Sequence, residues 1–244
     1  MGALLTLQSI QVSFSGFMAL DLETFEVAEG ELRVIIGPNG AGKTTLCDVI
    51  SGKTKPSRGR VTFAGTDVTG RKEEDICVLG VGRKFQTPTV FESLTAFENM
   101  ELALPGRRSV AHNFTGRPQG KDRERVLATL ARCGLAEQAG LPAKYLSHGQ
   151  RQWLEIAMLI IQDLRLLLVD EPAAGLSDPE SLRTAALLKQ LAGPHTLIVI
   201  EHDMDFVRAL DSRVTVLNEG RILCEGSMRE VEKDERVVEA YLGR

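Results

Sequence analysis

A glycine-rich segment near the N-terminus carries residue types that bind phosphate. It matches the pattern G-x-x-x-x-G-K-S/T over residues 37–44, with Gly37, Pro38, Asn39, Gly40, Ala41, Gly42, Lys43 and Thr44. Glycines allow backbone N–H groups to turn toward phosphate oxygens, and the positive N-terminus of a following helix faces the same anion. The segment predicts a nucleoside triphosphate site, with Lys43 on the β and γ phosphates and with Thr44 and Thr45 on phosphate and Mg²⁺.

Two adjacent carboxylates follow an aliphatic run further along the chain. Leu166–Val169 has the composition of a buried strand, and Asp170 and Glu171 come directly after it. Acids at the end of a strand also occur as an ordinary turn signal. Combined with the phosphate loop, however, they predict that Asp170 supports Mg²⁺ and that Glu171 orients a water for in-line attack on the γ-phosphate.

The elements around these residues predict an α/β fold. The run 32–36 directly before the phosphate loop is β-branched and aliphatic, which is typical of a strand buried on both faces of a parallel sheet, and a helix over 45–50 follows the loop. Other strands are predicted at 5–14, 20–27, 59–63, 166–169 and 197–200, with a hairpin at 214–217 and 221–224. Strands that alternate with helices imply a parallel sheet with right-handed crossovers.

Residues 92–165 interrupt this alternation with a helical pattern. Apolar residues three or four positions apart start at Leu94, and a second helix is predicted near 122–133. We therefore expect one domain over residues 1–244, with a catalytic core at about 1–90 and 162–244 and an inserted α-helical subdomain at about 91–161. The segment 104–121, rich in Gly, Pro and basic residues, is either a solvated loop or a contact with a partner or with anionic lipid headgroups.

The composition indicates which kinds of partner and which cellular compartment the chain favours. The net charge is −4 and the pI about 5.7, so the overall balance does not favour nucleic acid as a partner. The four cysteines form no C-x-x-C pair, which suits a reducing compartment. The N-terminal segment does not resemble a secretion signal, and no apolar run approaches the ~18–20 residues that span a bilayer. We expect the chain to meet any membrane through a partner.

A third motif carries a resemblance to a known family. Leu146-Ser147-His148-Gly149-Gln150 resembles the signature motif of ATP-binding cassette ATPases. Gln86 resembles the Q-loop glutamine of that family, His202 its switch histidine, and Phe14 falls where the family stacks an aromatic ring on adenine. The likeness runs from about residue 4 to the end. It implies a RecA-like phosphate-loop core with a mixed sheet, an N-terminal antiparallel β subdomain, ATP hydrolysis, and ATP with Mg²⁺ as ligands.

The resemblance also implies roles for these residues. Ser147, Gly149 and Gln150 would bind the γ-phosphate held by an opposite subunit, His202 would contact the γ-phosphate, and Gln86 would couple the metal site to a membrane partner. Each has a structural alternative. Ser147 and Gly149 could form the N-cap and turn that open a helix over 153–161, His202 could be a satisfied histidine at a strand end, and Phe14 could be a core strand residue.

Two positions depart from the family pattern. His148 replaces the second glycine of the signature, and we expect its imidazole to line the composite site only when two cassettes close, adding a pH-sensitive group there. Ser177 stands where most relatives carry an aspartate, and whether Asp178 takes over its role is open.

Four motifs resemble cassettes of the branched-chain amino acid uptake group, and within it most closely the urea and short-chain amide importers. They lie at Gly82–Gln86, Leu146–Gln150, Glu201–Met204 and Ala240–Gly243. This implies a second cassette, identical or related, transmembrane permease subunits, indirectly a periplasmic solute-binding protein, and a peripheral position on the cytoplasmic face of the inner membrane. We expect a urea importer. The alternatives are a branched-chain amino acid importer, a lipopolysaccharide-type export cassette and a soluble non-transport cassette protein.

Overall fold

The computed structural model describes residues 2–84, 90–105 and 120–242. The strands in these residues are β1 (Ala3–Phe14), β2 (Phe17–Ala28), β3 (Leu32–Ile36), β4 (Arg58–Phe63), β5 (Thr66–Asp67), β6 (Val81–Lys84), β7 (Leu166–Asp170), β8 (Thr196–Ile200), β9 (Arg213–Asn218) and β10 (Arg221–Ser227). The helices are α1 (Lys43–Ser51), α2 (Glu73–Val78), α3 (Ala96–Ala103), α4 (Lys121–Arg132), α5 (His148–Ile160), α6 (Asp178–Leu191), α7 (Met204–Leu210), α8 (Met228–Val231) and α9 (Glu235–Leu242).

The central sheet has the strand order β10-β9-β3-β8-β7-β6. Its strands are parallel except β10, which pairs antiparallel with β9, so the sheet is mixed. Every residue of β3, β7 and β8 is buried because both faces of the sheet are covered. Because these three strands are parallel neighbours, their carboxyl ends meet at one edge of the sheet.

A smaller antiparallel sheet, ordered β2-β1-β4-β5, covers one face of the central sheet. Residues from its strands, including Leu7, Phe25 and Val61, share a core with Ile35 and Leu168 of the central strands. The predicted fold class, α/β with a mixed sheet and an N-terminal antiparallel sheet, is confirmed. Each predicted strand is present, and most extend one to three residues beyond the prediction.

The helices α3, α4 and α5 pack in a second core on the opposite face. The Trp153 indole N–H donates to the Thr184 hydroxyl at 2.9 Å, which joins α5 to α6. The prediction that Ser147 caps α5 is confirmed, but α5 starts five residues before the predicted span of 153–161. It begins at His148, because Ser147 caps it and Gln150 completes a capping box. Gly149 accordingly lies inside the helix and forms no turn.

Within the described parts of the chain, none of the helices combines the length and the apolar character needed to cross a membrane.

Candidate nucleotide site

The phosphate loop lies between the end of β3 and the start of α1. Gly42, at the N-cap of α1, has a φ of +99°. A Cβ at this position would lie 2.7 Å from the carbonyl oxygen of Ala19, so a larger residue would meet both strain and a steric clash. As the N-cap of α1, Gly42 supplies no side-chain hydrogen bond to the first turn of this helix. Its N–H groups thus remain available to an anion, as a phosphate cradle requires.

Lys43 extends from the first turn of α1 back over this loop. Its ammonium donates to the carbonyl oxygens of Gly37 at 2.6 Å and of Pro38 at 2.9 Å. Burial lowers the pKa of Lys43, and the nearby Glu171 and Asp170 carboxylates oppose that shift. A phosphate group in the loop would offer this half-buried ammonium the negative partner that the carbonyl groups only partly replace.

Asp170 ends β7 at the same edge of the sheet and is buried. Burial raises its pKa, although the Arg83 guanidinium, 3.6 Å away, acts in the opposite direction. The carboxylate oxygen Oδ1 is buried and has no hydrogen-bond partner among the described residues. A buried carboxylate oxygen that lacks a partner is costly. The site therefore fits a magnesium ion with its bound waters, which would satisfy that oxygen.

Glu171 follows Asp170 with a φ of +47°, so its side chain leaves the direction of the strand. Its backbone N–H donates to the carbonyl oxygen of Ile200 at 2.9 Å, which holds it to the end of β8. The carboxylate is about one third exposed and lies 3.5 Å from His202 Nδ1. The structure thus brings Glu171 and His202 together, as predicted site residues, and leaves the Glu171 carboxylate accessible to water.

Glu201 is a site residue to which the sequence prediction gave no role. It is buried directly before His202 and accepts backbone N–H groups from Ala173 at 2.8 Å, His202 at 2.9 Å and Asp203 at 3.3 Å. Its carboxylate thereby joins the turn after Asp170 and Glu171 to the turn that carries His202. The acid at the end of an aliphatic strand was a visible signal, but nothing local indicated that it bonds to a distant turn.

Arg83 is a second residue that sequence reasoning did not single out. Its buried guanidinium pairs with Asp48 of α1 and with Asp170 of β7. Arg83 therefore ties the helix that follows the phosphate loop to the carboxylate that we expect to support magnesium. Its sequence signal was a basic pair at the end of a short strand, which is ambiguous until the sheet order is known.

Two aromatic side chains stand at the mouth of the cleft. Phe14 and Phe17 are paired across the turn between β1 and β2, and they are 50% and 67% exposed. This exposure contradicts the alternative that Phe14 is a core residue. Both line a cleft of about 330 Å³ that also includes residues 39–45, Asp170 and Glu171. Phe17 was not predicted, and its signal was an aromatic residue on each side of Ser15-Gly16.

The signature residues lie away from this cleft. Ser147 and Gln150 bond to each other at the N-terminus of α5, with distances of 2.9 and 3.1 Å. His148 Nε2 lies 3.0 Å from the carbonyl oxygen of Ala174 and 3.1 Å from Gln152 Nε2. The imidazole therefore contacts its own chain in this structure, and the expectation that it lines a site between two closed cassettes stays a prediction.

The remaining predicted positions have simpler outcomes. Ser177 caps α6, and its N–H and hydroxyl both donate to Glu180 at 3.0 and 2.7 Å. Asp178 is the first residue of that helix. Gln86, predicted to contact magnesium and to couple the site to a membrane partner, lies outside the described residues.

Comparisons with known proteins show what the chain is similar to. A family model described as ABC transporter matches residues 20–174, and one described as Branched-chain amino acid ATP-binding cassette transporter matches residues 221–244. The chain is 34% identical over 250 residues to the high-affinity branched-chain amino acid transport ATP-binding protein LivG of Salmonella typhimurium, with 98% of each chain covered. It is 32% identical over 251 residues to the corresponding protein BraF of Pseudomonas aeruginosa, again with 98% of each chain covered.

Solved structures of similar fold include two ATP-binding cassettes. The ADP conformation of MJ1267, a cassette of an ABC transporter, superposes with a TM-score of 0.86 at 30% identity and complete coverage of both chains. A dimeric post-hydrolysis state of the cassette MJ0796, bound to ADP and phosphate, gives a TM-score of 0.76 at 26% identity over 92% of this chain and 99% of that one. The chain belongs to the ABC transporter family as an ATP-binding cassette, an ATPase that uses ATP and Mg²⁺ and is coupled to transport.

Proposed function

We propose that this cassette powers the uptake of branched-chain amino acids. The support is the length of the likeness to LivG and BraF, which covers nearly the whole chain, and the separate family match at residues 221–244. The observation that best supports ATP hydrolysis by this chain is the cleft between the phosphate loop and the end of β7. It holds the phosphate loop, Asp170 and Glu171 at one edge of the central sheet.

A second candidate solute is urea or a short-chain amide. It is favoured by the motif resemblance at Gly82–Gln86, Leu146–Gln150 and Glu201–Met204, on which the sequence prediction rested. The relatives described above carry branched-chain amino acid names, and they support the first candidate better. No solute need touch this chain if permeases carry it, so the choice depends on a transport assay.

We propose the following roles in ATP hydrolysis. Phe14 stacks on adenine, with residues 37–45 around the phosphates, Lys43 on the β and γ phosphates and Thr44 with Gln86 on Mg²⁺. Mg²⁺ would neutralise the charge that develops between the β and γ phosphates. Asp170 accepts a bond from the metal shell, Glu171 takes the proton of the attacking water, and His202 contacts the γ-phosphate while its ring lies against Glu171.

We further propose that the working unit is a pair of cassettes, either two copies of this chain or this chain with a related one. Ser147, Gly149 and Gln150 would then contact the γ-phosphate on the partner cassette, which explains why they lie away from their own cleft. The dimeric MJ0796 structure supports this arrangement. The pair would act on transmembrane permease subunits at the cytoplasmic face of the inner membrane, and a periplasmic solute-binding protein would deliver the solute.

Two other classes remain as outcomes of the test. A lipopolysaccharide-type export cassette shares much of the motif pattern, and a soluble cassette protein would act without a permease. Such soluble proteins generally carry two cassettes or a long coiled-coil insertion, and the 244 residues contain one set of cassette motifs.

The experiment compares uptake of radiolabelled leucine and urea in a strain that lacks this gene. Complementation is carried out with the wild-type gene and with Lys43→Ala as the matched control. Leucine uptake restored by the wild type alone supports the first proposal, and restored urea uptake supports the second. Unchanged uptake of both with a loss of envelope integrity would contradict an importer and favour the export cassette.

A further inference from the structure

The turn between β9 and β10 contacts both the phosphate loop and strand β2. Its two central residues, Glu219 and Gly220, have φ values of +48° and +77°, as a two-residue type I′ hairpin turn requires. The phosphate loop follows a strand of the central sheet, whereas Phe14 and Phe17 belong to the smaller antiparallel sheet. A nucleotide that reaches from the loop to these aromatic rings would contact both sheets, so its fit depends on the distance between them.

Gly220 bonds to both parts of the cleft through its own backbone. Its N–H donates to the carbonyl oxygen of Ala41 in the phosphate loop at 3.0 Å, and its carbonyl oxygen accepts the N–H of Asp21 in β2 at 2.8 Å. The next residue, Arg221, adds a side-chain contact, since its guanidinium donates to the Asp21 carboxylate at 2.7 Å. One residue of the turn thus joins the phosphate loop to the strand that begins in the aromatic hairpin.

A side chain at Gly220 would disturb one of these two contacts selectively. A Cβ there would lie 2.9 Å from the carbonyl oxygen of Ala19 and 3.0 Å from the Cα of Leu20, and both residues are in β2. The turn has little room to move toward the loop, because the carbonyl oxygen of Leu217 already fills the space that a Cβ of Gly37 would take. An added methyl group at Gly220 should therefore displace β2 and leave the phosphate loop in place.

We infer that Gly220 is a positioning residue that sets the distance between the phosphate loop and the aromatic side chains at the mouth of the cleft. ATP gains affinity from both of its ends when this distance is fixed in advance, because no binding energy is then spent on moving one sheet against the other. Stacking of a base on an aromatic ring contributes roughly 5–150-fold to affinity. An incorrect distance would remove this contribution. The inference rests on the proposed contact of adenine with Phe14 and on the proposed phosphate site.

The test compares two ligands of the full chain by calorimetry. MgATP carries a base and phosphates, whereas magnesium tripolyphosphate carries phosphates alone, so the ratio of their dissociation constants measures the contribution of the nucleoside. Gly220→Ala should weaken the binding of MgATP at least fivefold and change the binding of tripolyphosphate by less than twofold. A merely structural defect of the phosphate loop would weaken the binding of both ligands alike.

The turn between β4 and β5 provides a matched control. Its central residues, Ala64 and Gly65, have φ values of +49° and +77°, nearly the same as those of Glu219 and Gly220. Apart from its chain neighbours, no described residue has a heavy atom within 4 Å of a Cβ at Gly65. Gly65→Ala therefore introduces the same backbone strain without the steric contact, and it should bind both ligands as the wild type does.

A double variant tests whether the effect of Gly220 passes through the aromatic side chain. Phe14→Ala should itself lower the affinity for MgATP. Adding Gly220→Ala to it should lower that affinity by less than a further twofold, since the same contact cannot be lost twice. Two losses that combine in full would overturn the inference.

Three results with the single variants would also overturn the inference: unchanged MgATP affinity in Gly220→Ala, an equal loss for both ligands, or the same selective loss in Gly65→Ala. Thermal melting identifies a Gly220→Ala chain that fails to fold. Gly220→Asn then replaces it, because asparagine tolerates a positive φ more readily while carrying the same Cβ. It should show the same selective loss, and wild-type affinity for MgATP would contradict the inference.

The wild-type measurements separate this inference from the proposed function. If the wild type binds neither ligand, the proposed phosphate site is wrong. If it binds both with no gain from the nucleoside, the proposed adenine contact is wrong, and the inference fails with it. If the wild type gains affinity from the nucleoside and Gly220→Ala keeps that gain, the nucleotide site stands and only the role of Gly220 is refuted.

Discussion

Glu171→Gln should separate ATP binding from hydrolysis. The substitution keeps the shape of the side chain and removes only its ability to accept the proton of the attacking water. A positioned general base contributes roughly 10²–10⁴ to a rate, which corresponds to about 2.7–5.5 kcal/mol of the activation barrier. We therefore expect turnover to fall by that factor, with the nucleotide still bound.

The structure predicts that folding tolerates this change. The Glu171 carboxylate is about one third exposed, its 3.5 Å contact is with an exposed histidine, and it helps raise the pKa of the neighbouring Asp170. Substitutions at such positions usually change the free energy of unfolding by no more than about 0.5 kcal/mol. Binding at 100 times the dissociation constant adds about 2.7 kcal/mol, and for a chain of this size that raises Tm by roughly 5–11 °C.

The assay combines phosphate release with thermal melting in MgATP. Glu171→Gln should retain the full rise in Tm and lose hydrolysis, whereas the matched variant Lys43→Ala should lose both, because Lys43 donates within the phosphate loop itself. A Gln variant that hydrolyses ATP at a near wild-type rate would remove Glu171 from the mechanism. Unchanged ATP affinity in Lys43→Ala would show that this loop is not the phosphate site.

Three further substitutions test other contacts. Asp170→Asn should raise Tm without nucleotide, since burial raises the pKa of Asp170 and the ionised form therefore destabilises the folded chain above the unfolded pKa. It should also lose the extra stabilisation that Mg²⁺ adds to ATP, and a lower Tm in the absence of nucleotide would contradict this reasoning. Gly42→Ala should weaken MgATP binding at least tenfold by calorimetry, because the Cβ meets the Ala19 carbonyl at 2.7 Å, and wild-type affinity would refute the steric argument. His148→Ala should lower Tm by about 2–4 °C through the loss of about 1 kcal/mol of hydrogen bonding to its own chain, while an unaltered melt would place the imidazole elsewhere.

Much of the fold was predictable because its signals are local. The buried strands are aliphatic runs, and β3 and β7 could be placed from composition alone. The phosphate loop and the adjacent acids were predicted for the same reason, since their chemistry requires contiguous residues. The start of α5 was misplaced because Gly149 reads as a turn residue, whereas the Ser147–Gln150 capping box lets the helix begin before it.

The unpredicted site residues depend on distant partners. Glu201 bonds to the Ala173 amide 28 positions earlier, and Arg83 contacts Asp48 and Asp170 from two other elements. These contacts follow from the strand order, which places β8 between β3 and β7 and β6 at the edge. The contact of His148 with the backbone oxygen of Ala174 could not be predicted either, because no sequence pattern marks that oxygen.

A crystal structure of the Glu171→Gln chain with MgATP tests the proposed site most directly. We expect the adenine ring against Phe14, the phosphates within hydrogen-bond distance of the amides of residues 40–45, and Mg²⁺ about 2.1 Å from the Thr44 hydroxyl oxygen. A metal-bound water should bond to Asp170 Oδ1. Nucleotide bound outside the cleft between Phe14 and Asp170, or a metal with no link to Thr44 and Asp170, would contradict the account.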